Sequence, residues 1–454
     1  MQQTLKDFYN RTTSKRNAPD TILIGTVLLM SLLGLVMTYT TTFAWAYLEN
    51  GTPFFYFLSQ LRAMAFGAVA FVVFIFIDYS LLRKLAVPIL IVIVLLLLAV
   101  LVIGENVFGA QRTLFRGSLQ PSEFAKFCLV IYAAAWLAGR KKDLRSFTEG
   151  LLPYGLVLAI VEVLIIRQPD ISTAFVLAVV IMTMYFMSDT SPVQFLAVLG
   201  FGVVMFALVS FILPHSIGRI ADFQQYRNDP FGQSTDYHIR QLMLTLGGGG
   251  FFGHGIGASY QKFGLLPTPH TDSVIAVLTD EMGIIGLLFF LLLLVTFIWR
   301  GLHIAQHAQT RFGAYVAIGV TVWVAVQSLM NLLSVLAIIP FTGVPVPFLS
   351  LGGSSLVSLL CACGLLASIS RGSALEVVSE PVGGKQPAGK EPSTTRIIRR
   401  HGEIAFHASA DISRRNRRAR AAGAGGVEGA YERTWNGIVR FAARIRRGIG
   451  ADAG

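Results

Sequence analysis

Long runs of apolar residues fill most of the first 371 positions of this chain, and short polar stretches separate them. Ten runs, each of about 17–28 residues, are long enough for a helix to cross the hydrocarbon core of a bilayer. The predicted spans are 21–43, 60–78, 84–104, 122–139, 150–167, 170–188, 192–213, 272–299, 312–337 and 346–370. The runs do not alternate apolar and polar positions as barrel strands do, so the spans are predicted to be helices. The pattern predicts an all-α polytopic membrane protein with about ten transmembrane helices.

Positive charge in the connecting segments sets the predicted orientation, because short loops rich in Lys and Arg stay in the cytoplasm. Ten crossings place one set of basic residues on the same side as both termini. Its members are Arg11, Lys15, Arg16, Arg83, Lys84, Arg140, Lys141, Lys142, Arg145, Arg300, Arg311 and Arg371. Residues 1–20 and 372–454 are therefore predicted to be cytoplasmic. Residues 214–271 become a large extracytoplasmic loop between spans 7 and 8.

A second set of basic residues falls on the extracytoplasmic side, where the charge rule predicts few of them. Its members are Arg112, Arg116, Arg219, Arg227, Arg240 and Lys262. Because these residues lie on the side where the topology rule predicts few positive charges, we interpret them as partners of an anionic ligand.

Composition agrees with a membrane protein and locates the net charge of +12. Charged residues make up 14% of the chain, whereas soluble domains carry about 25%. Residues 372–454 hold two lysines and thirteen arginines against eight acidic residues, a net of +7. This basic segment favours anionic lipid or an acidic partner over nucleic acid.

The tail composition, rich in Gly, Ala, Ser, Pro and Arg, predicts a largely disordered segment that buries no core. Apolar residues nevertheless recur at helical spacing within 431–449. They are Trp435, Ile438, Ala442, Ile445 and Ile449. The spacing predicts an amphipathic helix lying on anionic lipid, and a solvated disordered tail is the alternative.

Two polar clusters stand where extracytoplasmic loops meet predicted spans. In the first, Pro121 suits a first helical turn, and Glu123 and Lys126 are three residues apart on one helix face. The pair is either structural or part of a site. In the second, Asp170 follows Gln168 and opens the sixth span, where an aspartate is either a helix cap or a ligand-binding group.

The third cluster, Thr271-Asp272, begins the eighth predicted span. A carboxylate at a membrane surface needs water or partners, and so indicates a functional site. Asp280 lies two turns further along the same predicted helix, at a rise of about 12 Å, which is too far for a shared proton. Asp272 alone is the candidate general base, and capping of the helix is the alternative.

The fourth cluster runs from Pro340 to Ser355 and is too rich in Pro and Gly for a regular span. Irregular backbone at membrane depth is tolerated only against protein or a wet cavity. Hydroxyl and amide groups there are predicted to bind phosphate or sugar, and a helix break made for packing is the alternative. A separate glycine motif, Gly253 to Gly257, has no βαβ context and predicts a tight turn rather than a dinucleotide site.

Taken in order, these motifs resemble the SEDS family of FtsW, RodA and SpoVE, over about residues 15–371. The similar stretches are Gln120-Pro121-Ser122-Glu123, Gln168-Pro169-Asp170, Leu266-Pro267, His270-Thr271-Asp272, Asp280-Glu281-Met282-Gly283 and Pro347 through Ser355. Residues 255–262 look closer to the FtsW and SpoVE branch. The sequence departs from the family pattern at Ser273-Val274-Ile275, at Asp280 and at Arg112-Thr113.

The resemblance implies polymerisation of the polyprenyl-diphosphate substrate lipid II on the outer face of the bacterial cytoplasmic membrane. It implies that Asp272 is the essential aspartate, and we expect Asp272 to deprotonate the 4-hydroxyl of the acceptor sugar. Arg112, Arg116 or Lys126 would stabilise the diphosphate leaving group. The residues expected to contact substrate are Glu123, Lys126, Arg112, Arg116, Asp170, Gln168, His270, Thr271, Lys262, Ser350, Gly353, Ser354 and Ser355.

The resemblance also implies a cognate class B penicillin-binding protein, within the divisome or the elongasome. No motif requires a cofactor and no metal-ligand set is evident, although a divalent cation, Mg²⁺ or Mn²⁺, bridging the diphosphate is compatible with the chemistry. Two other functions remain open from the sequence. One is a flippase or transporter for lipid II, since broken helices with charged residues also suit translocation. The other is a non-catalytic scaffold of the division complex.

Overall fold

A computed structural model describes residues 18–107, 110–114, 119–139, 146, 150–188, 196, 200, 202, 214–229 and 236–372. The helices with described bounds are α1 Thr21–Asn50, α2 Phe55–Phe76, α3 Tyr79–Ile103, α4 Pro121–Gly139, α5 Leu152–Arg167, α6 Ile171–Phe186, α7 Pro214–Asn228, α8 Tyr237–Gly248, α9 Val274–Gln306, α10 Arg311–Val335 and α11 Gly353–Ser370. Most of predicted span 192–213, Arg116 and the predicted tail helix at 431–449 lie outside the described residues.

The predicted all-α polytopic membrane fold is confirmed. Nine of the ten predicted spans fall on helices. Among the residues that the structure describes, seven helices are long and apolar enough to cross a membrane, namely α1, α2, α3, α4, α9, α10 and α11. Helix α6 is apolar but shorter, so the count of ten spans stays a prediction. The sequence did not predict the short antiparallel hairpin of β1 (Glu105–Val107) and β2 (Ala110–Thr113).

Several helix bounds differ from the predicted spans for local reasons. Helix α1 continues seven residues past the predicted end, to Asn50. Hydroxyls in its threonine-rich stretch donate to carbonyls one turn back, as Thr42 does to Thr38 at 2.7 Å, so these donors are satisfied within the helix. It ends at Gly51, which adopts a left-handed conformation with φ of 69°. Helix α11 starts at Gly353, not at 346, because the preceding segment is irregular.

Helix α4 runs through the middle of the bundle and packs against α3, α6, α10 and α11. Its residues 129–134 are all buried, in keeping with contacts on every side. Around it, α2 packs against α11, and α9 packs against α1 and α10. The lipid-exposed helices α2 and α3 carry large apolar side chains on their outer surfaces, including Phe66, Val69 and Ile91.

At the predicted cytoplasmic end, Asp20 connects three helices. Its carboxylate caps α1 by accepting from the Leu23 amide at 2.9 Å. The same carboxylate accepts from the Arg300 side chain of α9, with Nε at 2.9 Å. The Asp20 amide donates to the Ser370 hydroxyl at the end of α11, at 3.0 Å. The first and last described helices are thus joined directly.

At the opposite end, the predicted loop 214–271 contains the helices α7 and α8, and α8 packs against α9. After α8 a glycine-rich segment runs against α9 at Gly283, where the helix is broken, with φ of 68° and ψ of −169°. The break frees the carbonyl of Asp280 for the His254 amide (3.0 Å) and that of Glu281 for the Gly255 amide (2.9 Å).

The close approach of these two segments requires glycine on both sides. A Cβ on Gly253 would lie 2.2 Å from the Glu281 carbonyl oxygen, and a Cβ on Gly283 would lie 2.2 Å from the Phe251 carbonyl oxygen. The prediction that Asp272 and Asp280 share one helix is wrong. Asp272 precedes α9, and Asp280 lies buried just before the break, with Oδ1 at 3.0 Å from His254 Nδ1.

Candidate active site

Asp272 lies in the turn that leads into α9, and the helix cap position is taken by Ser273, whose side chain makes no capping hydrogen bond. The Asn331 side chain of α10 donates to the Asp272 carbonyl at 2.7 Å and to the Val344 carbonyl at 2.7 Å. Asn331 is almost fully buried. It therefore fixes the backbone at Asp272 to the irregular segment 336–352, which connects α10 with α11.

The Asp272 carboxylate is half-buried, and its surroundings shift its proton affinity. Burial raises the pKa of Asp272 to about 6. The positive charges of Arg219 and Arg112 lower the pKa and so reduce this rise, whereas the negative charge of Asp170 increases it. At neutral pH the group is thus mostly ionised while remaining close to the range in which it exchanges protons, as a general base requires.

Arg219 of α7 reaches the same place as Asp272. Its Nη1 donates to the Thr342 carbonyl at 3.0 Å. The next residue, Gly343, has φ of 68°, and a Cβ there would lie 3.4 Å from Arg219 Nη2 and 3.5 Å from Asp272 Oδ2. The arginine and the aspartate therefore flank one small residue. Arg219 stands out in the sequence only as an arginine on the charge-poor side.

Arg112 of β2 is the second cation near Asp272, and it also holds the turn between α5 and α6. Its Nε donates to the Gln168 carbonyl at 3.1 Å, and its Nη2 donates to the Pro169 carbonyl. The Gln168 side chain is buried and donates to the Leu97 carbonyl of α3 at 3.1 Å. Gln168 thus supports the turn that precedes Asp170.

Asp170 follows that turn and caps α6, accepting from the Thr173 amide at 3.2 Å. Its second oxygen accepts from Ser122 Oγ at 3.3 Å and from Gln120 Nε2 at 3.5 Å. The backbone amide of Gln120 donates to Ser354 Oγ at 3.0 Å. The capping role is therefore present, and Asp170 also joins the second polar cluster to the first, which Gln120 in turn joins to the fourth.

Glu123 and Lys126 form a buried ion pair, with Nζ at 2.9 Å from Glu123 Oε2. Lys126 also donates to Gln327 Oε1 at 3.1 Å and lies 5.1 Å from the centre of the Trp323 ring. The Gln327 amide donates to the Pro345 carbonyl at 2.8 Å. The pair lies beneath the irregular segment and supports it through Gln327.

Three further predicted residues, Ser350, Thr271 and His270, take part in two hydrogen bonds that join the Asp272 turn to the irregular segment. The Ser350 hydroxyl donates to the Thr271 carbonyl at 2.6 Å, and the Leu351 amide donates to the His270 carbonyl at 2.8 Å. The His270 ring stacks on Trp45 of α1 at 4.9 Å between centres. Burial lowers the pKa of His270 to about 4, so the ring is neutral at pH 7.

The remaining predicted residues are placed differently. Gly353 opens α11, and the Ser355 carbonyl accepts from the Ser358 hydroxyl at 3.0 Å. Lys262 is committed elsewhere: its ammonium contacts Glu281 Oε1 at 2.6 Å and the Gly257 carbonyl at 2.7 Å, fully buried beside the α9 break. In the described part of the chain no group of three or more His, Cys, Asp or Glu side chains is placed to hold a metal ion.

A family model described as "Cell cycle protein", covering FtsW, RodA and SpoVE, matches residues 20–374. This chain belongs to the FtsW/RodA/SpoVE family. The match contains Asp272, both arginines beside it and every described helix, and it ends where the basic tail begins.

Curated members of the FtsW/RodA/SpoVE family cover the same region. Stage V sporulation protein E of Bacillus subtilis is 33% identical over 363 residues, which are 79% of this chain and 99% of that protein. A probable peptidoglycan glycosyltransferase FtsW of Trichlorobacter lovleyi is 36% identical over 361 residues, 78% of this chain and 93% of the relative. The predicted likeness to the FtsW and SpoVE branch is confirmed.

Solved structures of the FtsW/RodA/SpoVE family share the fold. A chain of a peptidoglycan synthase complex, studied for the coordination of polymerization and crosslinking, superposes with a TM-score of 0.62 at 26% identity. It covers 78% of this chain and 98% of its own length. Thermus thermophilus rod shape determining protein RodA superposes with a TM-score of 0.58 at 25% identity, with 78% and 97% covered.

Proposed function

We propose that this chain is a peptidoglycan glycosyltransferase that polymerises lipid II at the outer face of the bacterial cytoplasmic membrane. Membership of the FtsW/RodA/SpoVE family and the activity named for its FtsW relatives support this function. The single observation that carries it is a half-buried Asp272, with its pKa near 6, facing Arg219 and Arg112. Both termini lie in the cytoplasm in this proposal, as the distribution of Lys and Arg indicates.

Asp272 accepts the proton of the acceptor sugar's 4-hydroxyl as that oxygen attacks the anomeric carbon of the donor. The new C–O bond forms while the bond to the diphosphate breaks, and the electron pair leaves with the polyprenyl diphosphate. Attack from the opposite side inverts the anomeric configuration and gives a β-1,4 linkage. General-base assistance of this kind contributes about 10²–10⁴-fold to the rate.

The developing charge of the diphosphate is stabilised by Arg219 and Arg112, which the chain holds close to Asp272. Arg219 stays solvent-accessible while bonded to Thr342, so its guanidinium retains donors for an incoming anion. Lys126 acts differently, because Glu123 and Gln327 already occupy its ammonium. Its role is to support the segment behind the site.

A divalent cation fits this site only in part. Asp272 supplies one carboxylate and Asp170 is committed to Thr173, Ser122 and Gln120. The described residues therefore offer fewer oxygen ligands than Mg²⁺ or Mn²⁺ takes, and most of the coordination would come from the diphosphate and water. No step of the mechanism is routed through a cation.

The proposed partner is a class B penicillin-binding protein that crosslinks the strands made by this chain. A solved peptidoglycan synthase complex contains a chain of the same fold, which supports a partnership of this kind. The class of partner follows from the family and not from any residue of the site.

Polymerisation of labelled lipid II by the purified chain with its partner tests the function. Asp272→Asn is expected to lower the rate about 10²–10⁴-fold with an unchanged chromatographic profile. Glu49→Gln is the matched control, since Glu49 is an exposed carboxylate at the same end of the bundle that contacts Tyr56. Full activity of Asp272→Asn, or lipid II movement across vesicles without any polymer, would overturn the proposal.

A further inference from the structure

The glycine-rich segment between α8 and the α9 break exposes two adjacent aromatic side chains. Phe251 is 71% exposed and Phe252 is 82% exposed. The residues from Gly247 to Gly253 carry no charge and no side-chain hydrogen-bonding group. The charge rule nevertheless assigns this whole segment to the extracytoplasmic water phase.

The backbone of this segment is bonded to a membrane-spanning helix. The Ile284 amide donates to the Gly250 carbonyl at 3.0 Å, and the Ile285 amide donates to the Phe251 carbonyl at 3.4 Å. The amides of His254 and Gly255 donate in the other direction, to α9 carbonyls. The segment is therefore held at the level of Ile284 and Ile285.

The depth of Ile284 and Ile285 in the membrane can be measured along α9 from the predicted cytoplasmic end of that helix. We take Arg300, which is paired with Asp20, as the opposite membrane boundary, because ionised groups are costly within the hydrocarbon. Ile285 lies fifteen residues before Arg300, a rise of about 22 Å. A hydrocarbon core is about 30 Å thick. Phe251 is thus bonded to α9 roughly 8 Å inside the outer edge of the hydrocarbon, by the same rise per residue.

The adjoining face of α9 is the face that meets lipid. Ile285, Leu288 and Leu292 recur at helical spacing and are 53%, 58% and 63% exposed. Phe251 and Phe252 continue this apolar surface at its outer end. Irregular backbone is tolerated at such depth only against protein. The backbone of this segment lies against α9, which bonds the Gly250 and Phe251 carbonyls and the His254 and Gly255 amides.

We propose that residues 249–253 form a membrane-inserted wedge, with Phe251 and Phe252 in the outer leaflet among the acyl chains just below the headgroups. The occupant of this surface is lipid, because the surface is continuous with the lipid-facing side of α9. Phenylalanine is typical of apolar surfaces that insert about 5–10 Å into the boundary of headgroups and acyl chains. The wedge anchors the segment that fills the α9 break.

Site-directed spin labelling of the full chain in lipid vesicles tests the wedge. Labels are placed at Phe252→Cys and, separately, at Phe251→Cys, in a chain whose three native cysteines are replaced. Leu288→Cys serves as the lipid standard, and Gln225→Cys, on the exposed side of α7, serves as the water standard. Collisions with oxygen and with a water-soluble nickel complex report the depth of each label.

The expected result is a ratio of oxygen to nickel accessibility several-fold above that at Gln225→Cys and approaching that at Leu288→Cys. Two results would overturn the proposal. A nickel accessibility equal to that at Gln225→Cys would place the segment in water. Low accessibility to both reagents at both positions would mean that protein, not lipid, covers the two rings.

Discussion

At the scale of single residues, opposing influences set the chemistry of Asp272. Burial alone would push the carboxyl towards the neutral form, and two arginines draw it back. The outcome is a pKa of about 6, near enough to neutral pH that proton transfer in either direction is accessible. An exposed aspartate would be a weaker base, with a pKa of about 3.9.

This balance predicts a pH dependence of polymerisation. The base must be ionised to act, so the rate should rise with pH and level off above the Asp272 pKa of about 6. Arg219→Gln removes a charge that lowers this pKa, so the rising limb should move to higher pH while the plateau falls. Rates of the parent chain and of Arg219→Gln, measured from pH 5 to 8, check this. Arg227→Gln, at an exposed position of the same helix, should leave the rising part of the pH–rate profile at the same pH.

The same residue predicts an opposite trend in stability. A carboxyl whose pKa is raised in the folded state binds more protons folded than unfolded between the two pKa values, so stability falls as pH rises through that range. Asp272→Asn should therefore unfold at a higher temperature than the parent chain at pH 7, with the difference shrinking towards pH 4. Thermal unfolding in detergent at both pH values checks this, and a variant less stable at pH 7 would contradict it.

The sequence predicted some of these residues and not others, for physical reasons. Asp272 and Asp170 were recognisable because carboxylates at membrane edges are rare and have few explanations. Arg219 and Asn331 were not placed in the site, since their contacts depend on how α7 and α10 fold back on the irregular segment. Lys262 was predicted to bind substrate, and the structure gives it Glu281 as a buried partner. Its role in binding stays a prediction.

At the scale of elements, the break in α9 is the feature that positions the site. Residues 274–281 are fully buried and precede Gly283, while the longer part of the helix beyond it faces lipid on one side. The sequence did not reveal this break, because glycine is common in membrane helices and tolerated there. An irregular segment was predicted from Pro340 to Ser355, since its Pro and Gly density excludes a helix, and the structure has it at 336–352.

Gly283→Ala tests the break. Its backbone lies in a region that essentially only glycine adopts, which alone costs about 1–3 kcal/mol in other residues. The added Cβ would also meet the Phe251 carbonyl oxygen at 2.2 Å. A clearly lowered unfolding temperature and reduced polymerisation are expected.

Gly247→Ala is the matched control for this variant. Gly247 lies in α8, is exposed and has open space around its position for a Cβ. Alanine there should be neutral or stabilise by about 0.5–1 kcal/mol through helix propensity. If both variants behaved alike, the close approach of the two segments would not be the cause.

At the scale of the whole molecule, the family match and the described helices end together, near Gly372. The basic segment that follows is therefore predicted to be dispensable for catalysis. A chain that stops at Gly372 should polymerise lipid II within about twofold of the full chain in detergent, since its loss leaves every described contact intact. Its position in cells and its response to anionic lipid should change. Loss of polymerisation would assign the tail a direct role.

The contact between Asp20 and Ser370 has a consequence for how the protein is made. These two residues are separated by 350 positions, which a ribosome takes about 20–70 s to cover. During that interval α1 is already in the membrane but lacks a hydrogen-bond partner that is still untranslated. The early helices must therefore wait in lipid, or with an insertase, until the last helix arrives and the bundle closes.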